Sequence, residues 1–457
     1  MGDTKSNKRK YRINSIDSDI ELRERCRTEA IRIYGDPLPQ IVRERMEFEL
    51  NKISENKYSG EYLLGAEIAE KSKELGVIVT TRGMLASSFV TYLCGMTNVN
   101  PLPAHYICPY CHYFELPEVN KNRSWIHGFD IERKNCPKCN KKMKRDGASI
   151  SAEILMGWTY TREPDIILNI APSIYPDIVS YLQKLYGEEQ LIRAGISRMD
   201  QMGETCKGIH PGGIFIIPKE ADITDYTDLR DADPAERSKL RITDCDYSFL
   251  EPTFKKYDLM EFPLLDMLHI LEKETGIAIK DMQVDDKRIL ELFLKEGIAF
   301  RPGLSEHENA EYVKSIIDVA NPKCFSDIVK IYGLMLSTGA WHNNGESLIL
   351  SGHTLGELPT CRDDILCYLI QNGIEGKKAY SIMNRIKNGK GITGEDSDIM
   401  TAAGIPLWYI ESCQKTGYLF PRSQLVEYAY VDWVLAGYKT YNVDTYSRVC
   451  EAFLISN

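Results

Sequence analysis

Apolar residues fall into two textures along the chain. Val42, Met46, Leu50 and Ile53 recur at helical spacing through a charged segment that follows Pro37 and Pro39, which predicts an amphipathic helix. A second helix is predicted over roughly Glu61 to Leu75, stopped by Gly76. Val77-Ile78-Val79-Thr80 then reads as a short strand before a turn at Thr81-Arg82-Gly83. Two further strands are predicted at Asp165 to Ile170 and, after Gly212-Gly213, at Ile214 to Ile217. Between them a helix begins near Pro176, places Ile178, Leu182 and Leu185 on one face, and ends at Gly187. Beyond about Phe262 helical patterns dominate: Leu264, Leu268 and Leu271, then Ile365 to Ile370, Ala379 to Ile386 and Tyr428 to Ala436. Helices that feed strands closed by small-residue loops make an α/β arrangement. The expectation is therefore a mixed α/β first half and a mostly helical second half.

The 457 residues are 43% hydrophobic and 27% charged, the balance of a soluble globular protein of two to four domains. A disordered tail or a fibre is excluded. No stretch approaches the ~18 consecutive apolar residues of a membrane span, and the first thirty residues are charged, so neither a membrane segment nor a secretory signal is expected and the predicted location is cytoplasmic. Met1-Gly2-Asp3-Thr4-Lys5-Ser6 fits a loose myristoylation pattern, a match that short sequences make by chance.

The net charge of −10 argues against a dedicated nucleic-acid binder. Its distribution changes that picture. Residues 121–145 carry nine Lys/Arg against Asp130 and Glu132, and the first twelve residues carry Lys5, Lys8, Arg9, Lys10 and Arg12 against Asp3. Basic patches on an acidic body can meet phosphate, although a solvated face is the default for the N-terminal arm.

Cys108-x2-Cys111, twenty-four residues, then Cys136-x2-Cys139 is the strongest chemical signal. Each pair offers two thiolates from one tight knuckle, and two knuckles complete the tetrahedron that Zn²⁺ prefers; a four-cysteine site is closed and therefore structural. His105, His112 and His127 lie nearby but are not needed, because four sulfurs saturate the metal.

Longer motifs frame that ribbon. Tyr34-Gly35-Asp36-Pro37-Leu38-Pro39, the Arg82-Gly83 loop with Ser87-Ser88-Phe89, and Asn100-Pro101-Leu102-Pro103-Ala104-His105-Tyr106 precede the first knuckle or run into it. Gly208-Ile209-His210-Pro211-Gly212-Gly213, Cys361-Arg362-Asp363-Asp364-Ile365 and Gly389-Lys390-Gly391 follow the second. In these the chain resembles the catalytic core of bacterial DNA polymerase III α subunits of the PolC type, as a degenerate, truncated paralogue. The resemblance implies an α/β plus α fold: a polymerase β-like nucleotidyltransferase palm with an inserted four-cysteine zinc ribbon, a reduced thumb and mainly helical fingers. It divides the chain into a basic flexible arm (1–20), the first part of the palm (21–107), the zinc ribbon (108–146), a palm strand region (147–175), the reduced thumb (176–208), the last part of the palm (209–262) and the fingers (263–457). The family's phosphatase-like, exonuclease and C-terminal DNA- and clamp-binding modules have no expected counterpart.

The family's chemistry, which the resemblance implies, is phosphoryl transfer by two Mg²⁺ ions held on three carboxylates. Asp165 matches the first acid and Asp258 the third, but Ile167 stands at the second position, two residues along the same strand face. Mg²⁺ binding is therefore doubtful. Arg82, Gly83, Ser87 and Ser88 match the loop that meets the incoming triphosphate, with Met84 and Ala86 in place of smaller residues. Between Arg193-Ala194-Gly195 and Gly208 the thumb is shortened to Ile196 through Lys207. The late motif reads Phe420-Pro421-Arg422-Ser423-Gln424, keeping a cation and losing a histidine. His210 reads as a turn residue before the Ile214 strand, and Lys377, Lys378, Arg385, Lys387 and Lys390 as a solvated face or a nucleic-acid face. Three readings follow: a catalytically impaired relative that retains DNA or a replication partner, an active nucleotidyltransferase working through Asp165 and Asp258, or a relic with no selected role.

Overall fold

The computed structural model describes residues 16–118, 127–199, 205–232, 234, 236–282, 284–302 and 309–456. Lys5, Lys8, Arg9, Lys10 and Arg12 of the basic arm, the Met1–Ser6 pattern, and Lys121 and Arg123 of the ribbon cluster lie outside the described residues. Helix formation starts at Ile16, inside the segment expected as an arm, with Asp17 and Asp19 in its first turn. Acids there complement the exposed amides of a helix start. The chain divides into two compact units, one drawn from residues up to 30, 44–98 and 155–269, the other from 31–43, 99–154 and 270–457.

In the first unit, seven strands among the described residues form one mixed sheet. Their order is Thr80–Thr81, Ile167–Ile170, Lys256–Glu261, Thr205–Ile216, Leu191–Met199, Ile242–Thr243, Leu229–Arg230. Lys256–Glu261 runs parallel to Ile167–Ile170 and antiparallel to Thr205–Ile216. Alternation along Lys256–Glu261 buries Tyr257 and Leu259 and leaves Lys256, Asp258 and Met260 half-buried on the opposite face. Ile192, Ala194, Phe215, Ile217, Ile223, Leu250 and Phe254 close one core against the sheet.

Three strand expectations shift. Pairing begins at Thr80, not Val77; Val77 and Val79 are buried before it. The second strand starts at Ile167, leaving Asp165 just outside it. The third extends from Thr205 to Ile216, because His210-Pro211-Gly212-Gly213 is extruded inside a continuous strand. Across it Arg193 pairs with Ile214 and Gly195 with Ile209, so the extra residues sit on one strand only. The helix Tyr175–Tyr186 forms with Ile178, Val179 and Leu182 buried and Gly187 at its end, but Leu185 is left exposed. Residues 176–208, expected as the reduced thumb, supply this helix and the strand Leu191–Met199, which belongs to the same sheet as Asp258.

The second unit holds a three-stranded sheet, Phe114–Glu115, His105–Ile107 and Lys144–Asp146, and a set of helices. Helix Arg422–Tyr441 is buried along most of its length. Trp433 stacks on Phe293 (5.6 Å between centroids) and meets Phe325 edge-on (5.7 Å). Side-chain caps from Asp286, Asn309, Glu375 and Thr393 start the surrounding helices. Every helical pattern expected beyond Phe262 falls inside an observed helix.

Candidate functional site: strand acids and a cysteine ribbon

Asp258 and Ile167 are register partners on adjacent parallel strands. The position matched to a second carboxylate is thus a branched sec-butyl group directly beside the acid. Asp258 is already paired: Lys256, two residues earlier on the same face, places Nζ 2.6 Å from both carboxylate oxygens. Asp165 is 74% exposed, and the nearest cation is the buried Lys255, 4.0 Å away. Lys255 also lies 3.4 Å from Glu163 and 3.7 Å from Glu61, and donates to the Pro164 carbonyl at 2.6 Å. The two consecutive lysines thus have different partners: Lys256, on the strand, holds Asp258, and Lys255, just ahead of it, sits among Glu163, Glu61 and the Pro164 carbonyl. Asn169, two residues beyond Ile167, is fully buried; it accepts from Arg82 Nε at 2.6 Å and donates to Thr80 Oγ1 at 2.8 Å. Both ends of its side-chain amide are taken up by these bonds.

His210 lies closer to this face than a turn residue needs to. Its Nδ1 accepts the amides of Gly213 (2.9 Å) and Gly212 (3.3 Å) and sits 3.6 Å from Asp258 Oδ1. Burial, then Lys256, holds its pKa below the usual histidine range. Gly213 permits the fold-back, since a Cβ there would come within 2.9 Å of His210 Nδ1 and 2.8 Å of Ala194 Cβ. Arg193, 4% exposed, braces the extruded segment by donating to the carbonyls of Gly213 (3.2 Å) and Pro211 (3.3 Å), with Glu236 as its counter-charge at 3.3 Å. Arg193, His210, Glu236, Arg237 and Glu261 line a cavity of about 380 Å³. The sequence motif contained Arg193 and His210 but gave no sign of the extrusion joining them.

The loop residues matched to triphosphate contacts separate. Arg82 and Gly83 are half-buried at the surface, with Gly83 at φ +67° and the Arg82 guanidinium 5.8 Å from the Phe262 ring. Ser87 and Ser88 turn inward and are buried. Ser88 Oγ donates to Glu49 at 2.5 Å, and the amides of Phe89 (3.0 Å) and Val90 (3.2 Å) point at the same carboxylate, which also pairs with Arg45. An internal anion thus occupies the start of the short helix Phe89–Leu93.

In the ribbon the two knuckles repeat one geometry. Cys108 N donates to Tyr113 O (2.9 Å) and His112 N to Cys108 O (3.0 Å); Cys136 N donates to Lys141 O and Asn140 N to Cys136 O, both 2.8 Å. His112 and Asn140 take matching left-handed φ angles of +55° and +58°. The four Sγ atoms lie within 4.8 Å of one another, with Cys108 and Cys139 at 3.4 Å and Cys111 and Cys136 at 3.5 Å. A tetrahedron of ~2.3 Å Zn–S bonds has edges of about 3.8 Å, so the donor set fits zinc. Burial opposes ionisation of Cys108, but backbone N–H donors from Cys111 and Tyr110 outweigh it and bring its thiol down to about 6. The histidines are used elsewhere: His105 Nδ1 is 2.7 Å from Pro103 O, His112 Nδ1 3.2 Å from Ile33 O, and His127 Nδ1 accepts from Phe129 N at 3.1 Å.

The cation of the late motif faces inward as well. Arg422, 2% exposed, donates to Asp364 Oδ1 at 2.9 Å and to Ser149 O at 2.7 Å, while Lys330 reaches the other oxygen of Asp364 at 3.1 Å. Of the basic residues expected as a solvated or nucleic-acid face, Lys378 pairs with Glu395 (2.8 Å) and Asp396 (3.0 Å), Arg385 with Asp396 (3.4 Å), and Lys387 is buried.

A mixed α/β unit bearing Asp258 on a central strand, and a largely helical unit bearing a four-cysteine group, fit a nucleic-acid polymerase. Residues 20–203 match the bacterial DNA polymerase III alpha NTPase domain, and residues 264–402 match the bacterial DNA polymerase III alpha subunit finger domain. Over 93% of its length the chain is 33% identical to the DNA polymerase III PolC-type of Caldanaerobacter subterraneus subsp. tengcongensis, covering 33% of that protein. It is 33% identical to the PolC-type enzyme of Mycoplasmopsis pulmonis (93% of this chain, 32% of the relative) and 32% to that of Thermotoga maritima (93% and 34%). The chain belongs to the bacterial DNA polymerase III alpha family and is PolC-like. It spans about a third of the length of these curated relatives. Among the described residues, no helix is long and apolar enough to cross a membrane.

Proposed function

We propose that this is a PolC-like protein of DNA replication in which the first unit is a polymerase β-like palm, the cysteine ribbon holds a structural zinc, and nucleotidyl transfer is impaired while DNA or a replication partner is still bound. One observation carries the reading: Ile167 is the register partner of Asp258, and both oxygens of Asp258 are held by Lys256. Two-metal phosphoryl transfer needs carboxylates free to bridge cations. Here one ligand is an alkyl group, one carboxylate is neutralised by an ammonium, and Asp165 is largely in solvent. These donors do not fit a pair of Mg²⁺ ions. The inward commitment of Ser88 and of the Phe89 and Val90 amides to Glu49 also leaves Arg82 and Gly83 as the loop's surface contribution to a triphosphate. Cys108, Cys111, Cys136 and Cys139 would hold the zinc, which supplies cross-linking of the ribbon and no catalysis.

The test is primer extension on a primed template in Mg²⁺ or Mn²⁺, with unmodified protein, Ile167→Asp and Asp258→Ala, alongside binding of the same DNA. Extension should be absent or very weak for the unmodified chain and gained or increased in Ile167→Asp, while Asp165→Ala leaves DNA affinity unchanged. Efficient extension by the unmodified chain that Asp258→Ala abolishes would overturn the reading.

A further inference from the structure

The basic residues of the ribbon sort into two sets. Arg133 and Arg145 both pair with Asp285 (2.6 and 2.8 Å), Lys134 with Glu115 (2.6 Å) and Lys144 with Asp146 (3.0 Å). Those four cations serve the fold. Lys138, Lys141 and Lys142 are exposed and form no ion pair among the described residues, and they lie in or directly after the second knuckle. The first knuckle presents Tyr110, 68% exposed, with Lys141 Nζ 5.9 Å from its ring centroid. The Sγ atoms of Cys111 and Cys136 lie 3.5 Å apart, which brings the two knuckles side by side, and Lys138 Nζ lies 5.5 Å from the ring of Tyr113 beside the first knuckle.

We propose that this pair of knuckles is a contact for single-stranded nucleic acid, with a base stacking on Tyr110 and the flanking phosphates meeting Lys138, Lys141 and Lys142. An exposed ring among unneutralised cations offers both things an unpaired strand supplies, a π face and a charged backbone, whereas the bases of a duplex are already stacked. On a chain of net charge −10 these three lysines are a local exception. The inference rests on the DNA-binding part of the proposed function and gives it a location. The competing role for the lysines is to balance the charge of about −2 on a zinc tetrathiolate, which predicts no effect on nucleic-acid affinity.

The experiment is fluorescence anisotropy of the full chain with labelled dT20 and with a 20-base-pair duplex across a salt series, zinc content being measured for each variant. Tyr110→Ala should weaken dT20 binding roughly 5- to 150-fold, with Tyr110→Phe close to unmodified. The triple Lys138→Gln, Lys141→Gln, Lys142→Gln should lower the slope of log K against log salt by about 2, at ~0.7 per phosphate contact. If Tyr110→Ala loses zinc, Tyr110→Phe and the lysine triple decide. Zinc-loaded variants that bind dT20 like the unmodified chain overturn the inference and leave the proposed function standing. Weakening confined to the duplex also overturns it. Failure of the unmodified chain to bind either DNA removes the DNA-binding reading together with the inference.

Discussion

The ammonium of Lys256 lies 2.6 Å from each carboxylate oxygen of Asp258, closing a side-chain ion pair between residues two apart on one strand. Asp258 is 14% exposed and Lys256 10%. Lys256→Met leaves the carboxylate poorly hydrated and without its counter-charge, beside a His210 ring that burial holds below its usual pKa. The expected cost is about 2 kcal/mol, less than the ~3–5 of a fully buried pair because solvent reaches this one. A divalent cation can then substitute for the lysine. Millimolar Mn²⁺ should raise the melting temperature of Lys256→Met and not that of the unmodified protein; an equal rise in both would show that the lysine does not compete.

Zinc removal should act on the ribbon as a unit. Ala104, Tyr106, Ile131 and Met143 form its small core around Cys108 and Cys136, too little apolar area to fold without a cross-link. One zinc per chain is expected by elemental analysis. Cys136→Ser should lose it and expose the ribbon to proteolysis, with cleavage starting between residues 105 and 146. A Cys136→Ser protein as protease-resistant as the unmodified one would argue against a structural metal.

What the sequence made legible was what local spacing encodes. The cysteine knuckles are set by two-residue gaps, and the helices by apolar periodicity. Lys256 and Asp258 share a face by the same i, i+2 rule that aligned Asp165 with Ile167, so their pairing was readable and was missed. Other features come from distant partners. Glu49 reaches the Ser88 turn from 39 residues away, and Arg193 braces carbonyls 18 and 20 residues on. The extrusion at His210 to Gly213 looks, in sequence, like an ordinary turn before a strand. Only the pairing of both its flanks with one neighbour distinguishes the two.

Arg422 tests whether the late-motif cation is a structural group. Burial alone would raise the pKa of Asp364, yet Lys330 and Arg422 outweigh it and hold the carboxylate well below its usual range. Arg422→Met removes one of those cations and the bond to Ser149 O, while Thr360 and Lys330 continue to satisfy Asp364 Oδ2. The expected loss is about 3 kcal/mol, read as a lower urea midpoint at unchanged m-value. Arg422→Lys should recover part of it. A midpoint unchanged in Arg422→Met would place the group outside the stability network.

The buried imidazole of His127 gives the second unit an acid-sensitive element. Burial, reinforced by His105 and Arg422 against the opposing pull of Asp146, lowers its pKa to about 3, against an ordinary value of 6.5. Between those values the unfolded chain takes up a proton that the folded chain refuses. Stability is therefore fully present above about pH 6.5 and falls as pH drops toward 3, with a slope approaching 1.4 kcal/mol per pH unit from this group alone. His105, also lowered by burial, adds to the same slope. His127→Gln keeps an acceptor for the Phe129 amide without a titrating ring. Urea midpoints measured from pH 7.5 to 4.5 should fall for both proteins, with the variant's dependence shallower by close to one proton. Parallel curves would show that His127 is not the group that acid protonates.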